Sequence, residues 1–265
     1  MKLLSGADLA SYIQQRQAGQ VRALIQADHI KPCLAIVVTK NDPVIETYIG
    51  LKKQYGEDIQ IKVDIHNISQ KDAVATVKTL NKDENVHGII VQLPLDDTSQ
   101  TDEIINCIAP HKDVDGLGSG ALYDAATPQA IDWLLVGYNI DLRNKHIVIV
   151  GKGRLVGAPL LRMWQSAGYD VVAIGKKDDL QGELKKADVI ISATGQPHLI
   201  SSEMVPVDSI VVDAGTSSEG GKTVGDLDED VYQRQDLTIT PAKGGVGPLT
   251  IAALFDNLIR AVYKN

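Results

Sequence analysis

The chain is poor in cysteine. Its 265 residues include only Cys33 and Cys107, each in or beside an apolar run, with no C-x-x-C spacing. No disulfide framework is implied; both thiols read as small buried hydrophobes in a reducing compartment. Six histidines, at 29, 66, 87, 111, 146 and 198, show no ligand spacing, so no metal is expected. No apolar run is long enough to span a bilayer, and residues 1–8 lack the apolar stretch of a secretory leader; a cytoplasmic location is expected. Basic charge is in deficit: 26 Lys and Arg against 34 Asp and Glu leave −8. That argues against non-specific binding to nucleic acid or an anionic membrane. Internal repeats and low-complexity segments are absent as well.

What the chain does have is length for two domains and an ordinary apolar content of 44%. Helical spacing covers 7–28, 43–55 (Val44, Thr47, Tyr48 and Leu51 on one side), 71–80 and 102–108, alternating with strands at 34–38, 59–65 and 88–93. After a Gly- and Asp-rich junction at 110–128, a helix over 129–137 follows Pro128. A second series has strands at 146–150, 170–174, 188–193, 209–213 and 237–240, and helices at 157–167, 179–186 and 250–262. The expected fold is α/β with parallel sheets, in two lobes with a cleft between them.

Residues 147–159 read I-V-I-V-G-K-G-R-L-V-G-A-P. A buried strand runs into Gly151, Gly153 and Gly157 and then a helix, the order a dinucleotide site requires. The spacing is one residue longer than the usual fingerprint, so an ordinary glycine-rich βα turn stands as the alternative. No carboxylate stands about 20 positions on, where an NAD site holds the ribose; Lys176 and Lys177 do, with Lys152 in the turn itself. Three cations favour the 2′-phosphate of NADP. Alternatively Lys176 and Lys177 are solvated loop charges, and the following Asp178 and Asp179 work against the phosphate reading. Residues 193–197, including Thr194 and Gly195, follow a strand and are placed to cover a nicotinamide or ribose. A second glycine-rich block, 241–250, allows a backbone to hug a ligand or simply forms a tight loop.

In the first lobe, Tyr48 and Lys52 are spaced to share a helix face. Lys52 is either a proton-transfer group with a lowered pKa or a snorkelling surface lysine. Gln92 ends a buried strand, either touching a ligand or satisfied in its loop. Asp113 and Asp115 either bind a polar heterocycle or cap their turn.

Together these blocks resemble the bifunctional methylenetetrahydrofolate dehydrogenase/cyclohydrolase family. Residues 48–52 look like its Y-V-x-x-K, 88–95 like G-x-x-V-Q-L-P-L and 112–116 like K-D-V-D-G. Thr127-Pro128 sits where the family has T-P. Residues 151–159 resemble G-R-S-x-I-V-G-x-P, 195–197 match G-Q-P, and 244–250 resemble G-G-V-G-P-M-T. The resemblance implies an N-terminal folate lobe (1–121 plus 248–265) and a Rossmann-like NADP lobe (122–247). It implies hydride transfer from methylenetetrahydrofolate to NADP, then water addition to give 10-formyltetrahydrofolate for one-carbon metabolism and purine biosynthesis. It makes Lys52 the catalytic lysine, held by Gln92, with Asp115 on the pterin amine and ring nitrogen. Tyr48, Leu93, Gly247, Pro248 and Leu249 are implied to shape the folate pocket. Gly151, Lys152, Gly153, Leu155, Val156, Gly157, Lys176, Thr194, Gly195 and Thr216 are implied to line the cofactor site. A homodimer joined through the cofactor lobes is implied as well.

The chain departs from the family pattern in places. Val44-Ile45 replaces A-S, removing a hydroxyl near the lysine; Lys152-Gly153 replaces R-S; Lys176 replaces a serine; Ala242-Lys243 replaces V-P; and Ala126 stands where a cysteine is common. Two rivals remain: a shikimate- or amino-acid-dehydrogenase-like enzyme, and a paralogue that binds folate or nucleotide without turnover.

Overall fold

Short runs rich in Val and Ile make the central strands of this chain, and these are buried along their whole length. The computed structural model describes residues 1–219 and 222–264. Its strands are β1 (Lys2–Leu3), β2 (Cys33–Val38), β3 (Lys62–Asn67), β4 (Gly88–Val91), β5 (Ile147–Val150), β6 (Val171–Ile174), β7 (Val189–Ser192), β8 (Ile210–Asp213), β9 (Ser217–Glu219), β10 (Lys222–Val224) and β11 (Thr238–Ile239). Its helices are α1 (Gly6–Ala27), α2 (Pro43–Asp58), α3 (Ala73–Lys82), α4 (Thr101–Ile105), α5 (Ala126–Gly137), α6 (Gly157–Ser166), α7 (Leu180–Leu184) and α8 (Val246–Lys264).

The chain forms two compact units, Met1–Ala10 with Thr127–Thr250, and Ser11–Ala126 with the residues from Ile251 on. In the larger unit six parallel strands lie in the order β1-β11-β8-β7-β5-β6. All four residues of β5 and of β7 are buried, as expected of a parallel sheet covered on both faces. Each buried Val or Ile contributes about 1.5–3 kcal/mol of burial free energy. Trp164 of α6 is 1% exposed, and its Nε1 donates to Asp132 Oδ1 of α5 at 3.1 Å. The chain enters at β5 and leaves in opposite directions to β6 and β7, so a switch point lies between β5 and β7.

The smaller unit has three parallel strands in the order β3-β2-β4, with its own switch point between β2 and β4. The central β2 is wholly buried. α8 contributes Phe255, stacked on Tyr55 at 5.0 Å between ring centroids, and Asn257, whose Nδ2 donates to Val114 O and Asp124 O, both at 3.0 Å.

The structure corrects several boundaries. The first residues pair with the larger unit, Lys2 opposite Thr238 and Leu3 opposite Ile239; two residues of strand give no periodicity to read. The expected strand at 59–65 begins at Lys62 instead, because Ile59 and Ile61 are buried in a turn whose Gln60 has φ +64°. α8 starts four residues early, at Val246. The hairpin of β9 and β10 was not expected, although Gly220-Gly221 stands between its strands in the sequence. The apolar side assigned to α2 was also wrong: Val44 and Leu51 are exposed, and Ile45, Ile49 and Gly56 are buried.

Candidate active site

In the smaller unit, polar side chains gather at the carboxyl ends of the strands, beside the switch point. β4 ends at Val91, and the next amide, Gln92 N, still donates to Val37 O of β2 at 2.9 Å. This bond holds Gln92 at the sheet edge. α2 returns along the sheet from an Asp42 cap, whose side chain accepts from Val44 N at 2.9 Å, with Pro43 opening the helix. One turn after Ile45 and Ile49 bury themselves, Lys52 projects over that edge, and its Nζ donates to Gln92 Oε1 at 2.8 Å. Gln92 Nε2 donates to Leu93 O at 3.0 Å, which sets the amide so that its oxygen faces the lysine.

The segment 110–116 lies against the outer side of β4. Ile89 N donates to Lys112 O at 2.7 Å, and Ile89 bridges Asp113 in parallel. The two acids of that segment have separate roles. Asp113 is 2% exposed and accepts from Gly116 N at 3.1 Å and Gly118 N at 2.7 Å, so it caps its own loop. Asp115 is partly buried and keeps both oxygens clear of any hydrogen bond among the described residues. Burial raises its pKa to about 6; the Lys52 charge holds it back and Asp113 pushes it further. Burial in turn lowers the Lys52 pKa, against the pull of Asp115. Lys52 and Asp115 are therefore electrostatically linked, with Gln92 hydrogen-bonded to the lysine and the carboxyl raised to about 6. Tyr48 and Leu93 are partly exposed beside them in the chain.

Lys112 is structural. It is 5% exposed, and its Nζ donates to Leu80 O at 3.1 Å and Asp83 O at 2.7 Å, at the carboxyl end of α3.

In the larger unit the glycine turn joins β5 to α6. Gly151 has φ +112°, and a Cβ there would lie 2.5 Å from Ala193 O. A Cβ on Gly157 would lie 1.9 Å from Gly151 O. Gly153 has no heavy atom within 4 Å of its Cβ position, so the middle glycine is not required by space. Val156 caps α6 without a side-chain hydrogen bond; in the first turn Ala158 N donates to Gly153 O at 3.0 Å, and Pro159 carries no N–H. Thr194, Gly195 and Thr216 lie together: Gly195 has φ +66°, and its Cβ position is 3.3 Å from Thr216 O. Lys152, Leu155 and Lys176 are exposed and Val156 half-buried. This cradle fits a dinucleotide, with backbone where side chains would otherwise stand.

The sequence did not reveal what supports the cradle. Asp226 is fully buried; its Oδ2 accepts from Ser192 Oγ at 2.5 Å and Thr194 N at 2.7 Å. Its own N–H donates to Asp213 Oδ2 at 3.0 Å. The sole hint was an acid after a glycine, which reads equally as a turn. At the second glycine-rich block, Gly247 is exposed in the first turn of α8 and Pro248 is half-buried. Leu249 is fully buried, 3.3 Å from the Cβ position of Gly6, so it is a core residue.

Among the described residues no helix is long and apolar enough to cross a membrane, and no group of three His, Cys, Asp or Glu is placed to hold a metal. Cys33 is buried, and burial pushes its thiol up to about 12, with Asp64 adding to the shift.

Two family models match. The tetrahydrofolate dehydrogenase/cyclohydrolase catalytic domain covers residues 4–115, and the NAD(P)-binding domain of the same family covers 125–265. The bifunctional protein FolD of Aquifex aeolicus is 37% identical over 278 residues, spanning 99% of this chain and 95% of its own. The crystal structure of the bifunctional enzyme FolD from Campylobacter jejuni superposes with a TM-score of 0.91 at 37% identity, covering 100% of this chain and 99% of that one. The Trypanosoma brucei FolD, complexed with NADP cofactor and inhibitor, gives a TM-score of 0.92 at 25% identity, covering 99% and 97%. The chain belongs to the tetrahydrofolate dehydrogenase/cyclohydrolase family.

Proposed function

We propose that this chain oxidises 5,10-methylenetetrahydrofolate to the methenyl form with NADP and hydrolyses that product to 10-formyltetrahydrofolate. The observation that carries the reading is the Lys52–Gln92 hydrogen bond of 2.8 Å, beside a carboxylate raised to about 6, at the carboxyl edge of a parallel sheet. Bound NADP supplies the hydride acceptor. Gly151, Lys152, Gly153, Leu155, Val156, Gly157, Lys176, Thr194, Gly195 and Thr216 are the residues assigned to hold it.

In this reading Asp115 accepts hydrogen bonds from the pterin amine and ring nitrogen, which orients the folate. Tyr48 and Leu93 wall the pterin and aminobenzoate. The folate nitrogen expels the hydride, so the protein's task in the first step is positioning. In the second step water attacks the methenyl carbon. Lys52, its pKa lowered by burial, takes the water proton and returns one to the leaving ring nitrogen as the C–N bond opens. Gln92 holds Lys52 through a neutral oxygen, which orients the amine without adding charge.

Neither rival draws comparable support, because both family models describe folate-enzyme domains and the three polar residues stand together. We further propose a cytoplasmic homodimer, with no nucleic-acid or membrane partner, whose formyl product serves purine biosynthesis. Light scattering of the purified chain tests the dimer. The functional test is the rise of methenyl absorbance with methylenetetrahydrofolate and NADP, then NAD. Cofactor-dependent methenyl formation is expected, and loss of water addition in Lys52→Ala. Turnover with neither nucleotide would sink the dehydrogenase reading.

A further inference from the structure

Lys152 and Asp178 meet at the end of the sheet where a dinucleotide's adenosine ribose is read. In open α/β units the carboxyl end of the second strand faces the ribose 2′ position, with an acid for a free hydroxyl or a cation for a 2′-phosphate. That strand here is β6. Val150 of β5 pairs with its Ile174, and Gly151 N donates to Ile174 O at 2.8 Å, so the glycine turn lies directly beside it. Both kinds of residue are present. Asp178 Oδ2 accepts from Gly175 N at 2.7 Å, which anchors the carboxylate at the strand end whether or not a cation is near. The same oxygen accepts from Lys152 Nζ at 3.0 Å, and the Lys152 stem passes Gly175, its Cδ 3.6 Å from the Cβ position there. The Lys152 and Asp178 side chains are 55% and 41% exposed, within reach of an arriving nucleotide. Asp179 is occupied elsewhere, capping α7 through Gly182 N at 3.1 Å.

We infer that Asp178 sets the nucleotide specificity of this chain by opposing the 2′-phosphate. It occupies Lys152 and fixes a negative charge at the 2′ position, so the advantage of NADP over NAD is small in the native protein and larger once that charge is removed. A lysine ammonium has three donors but a single charge, and the Asp178 carboxylate offsets that charge before a 2′-phosphate arrives. Hydrogen bonding to Gly175 N and to Lys152 keeps Asp178 ionised, its pKa below the ordinary carboxylate range. The inference rests on the dinucleotide reading of the glycine turn.

The test is calorimetric titration of the full chain with adenosine 2′,5′-bisphosphate and with AMP. Asp178→Asn and Asp178→Ser each keep an acceptor for Gly175 N and lose the charge. Their affinity ratio, bisphosphate over AMP, should rise roughly fivefold at low salt, with AMP binding unchanged within about twofold. Lys152→Met should lower the ratio. If both nucleotides bind and neither Asp178 variant raises the ratio, or if Lys152→Met leaves it unchanged, the inference is overturned while the nucleotide reading stands. If the unsubstituted chain binds neither, the nucleotide reading falls and takes this inference with it.

Discussion

Lys52 Nζ donates to Gln92 Oε1 across 2.8 Å, and Gln92 is itself held by donation from Nε2 to Leu93 O. The lysine is thus oriented by a neutral partner. A carboxylate at position 92 would hold the ammonium equally well, but would favour the charged form. Gln92→Glu is therefore expected to slow water addition by about tenfold or more at neutral pH and to move the rise of its pH profile upward. Lys52→Met should slow the same step by about 10²- to 10⁴-fold. The decay of methenyl absorbance against pH measures both.

With Asp115 on the pterin as proposed, folate binding is expected to be sensitive to mild acid. Above about 6 the carboxyl is ionised and only accepts hydrogen bonds; below that it carries a proton and loses acceptor capacity toward the pterin. The folate KM should be flat above that point and climb as pH falls through it, approaching about tenfold per pH unit. Asp115→Asn should raise the KM throughout and remove the slope. A slope retained in that variant would assign the titration to another group.

The three glycines of the turn are not equivalent. A Cβ on Gly157 would lie 1.9 Å from backbone Gly151 O, whereas the Gly153 position is open. Gly157→Ala should cost about 1–3 kcal/mol of stability and weaken nucleotide binding, since backbone must shift to admit the methyl. Gly153→Ala should leave stability within about 0.5 kcal/mol, because no protein atom meets the new methyl and φ is not positive. Urea unfolding with nucleotide titration separates the two outcomes.

Asp226 accepts from Ser192 Oγ and Thr194 N while fully buried. Asp226→Ala leaves both donors unpaired and should destabilise the chain by about 2–4 kcal/mol. Asp226→Asn keeps one acceptor oxygen and should lose less. In both variants nucleotide affinity should fall more than the rate of water addition, because Thr194 belongs to the nucleotide cradle. Equal losses in the two would point to general unfolding.

Much of this was legible beforehand, and the exceptions have physical reasons. The run 147–150 and its glycines identified a strand, turn and helix because β-branched burial and positive φ are local demands. The pairing of Lys52 with Gln92 followed from the family resemblance, and the residues do meet. The face of α2 was misread because Val44 and Leu51 are apolar yet exposed, while Ile45 and Ile49 take the core. Asp113 and Asp115 are the same residue type two positions apart, and no spacing rule separates the acid that caps a loop from the acid left clear.

By itself, then, the sequence determined the alternation of strands and helices, the two α/β series, the glycine turn and the order of the site motifs. These depend on side-chain periodicity and backbone sterics within a few residues. The tertiary structure alone decided that β1 joins the larger sheet, that Lys112 is buried on helix carbonyls, that Asp226 braces Thr194 and that Asp178 reaches Lys152. Burial, desolvation and charge pairing arise between segments brought together from distant parts of the chain, and only folding brings them into contact.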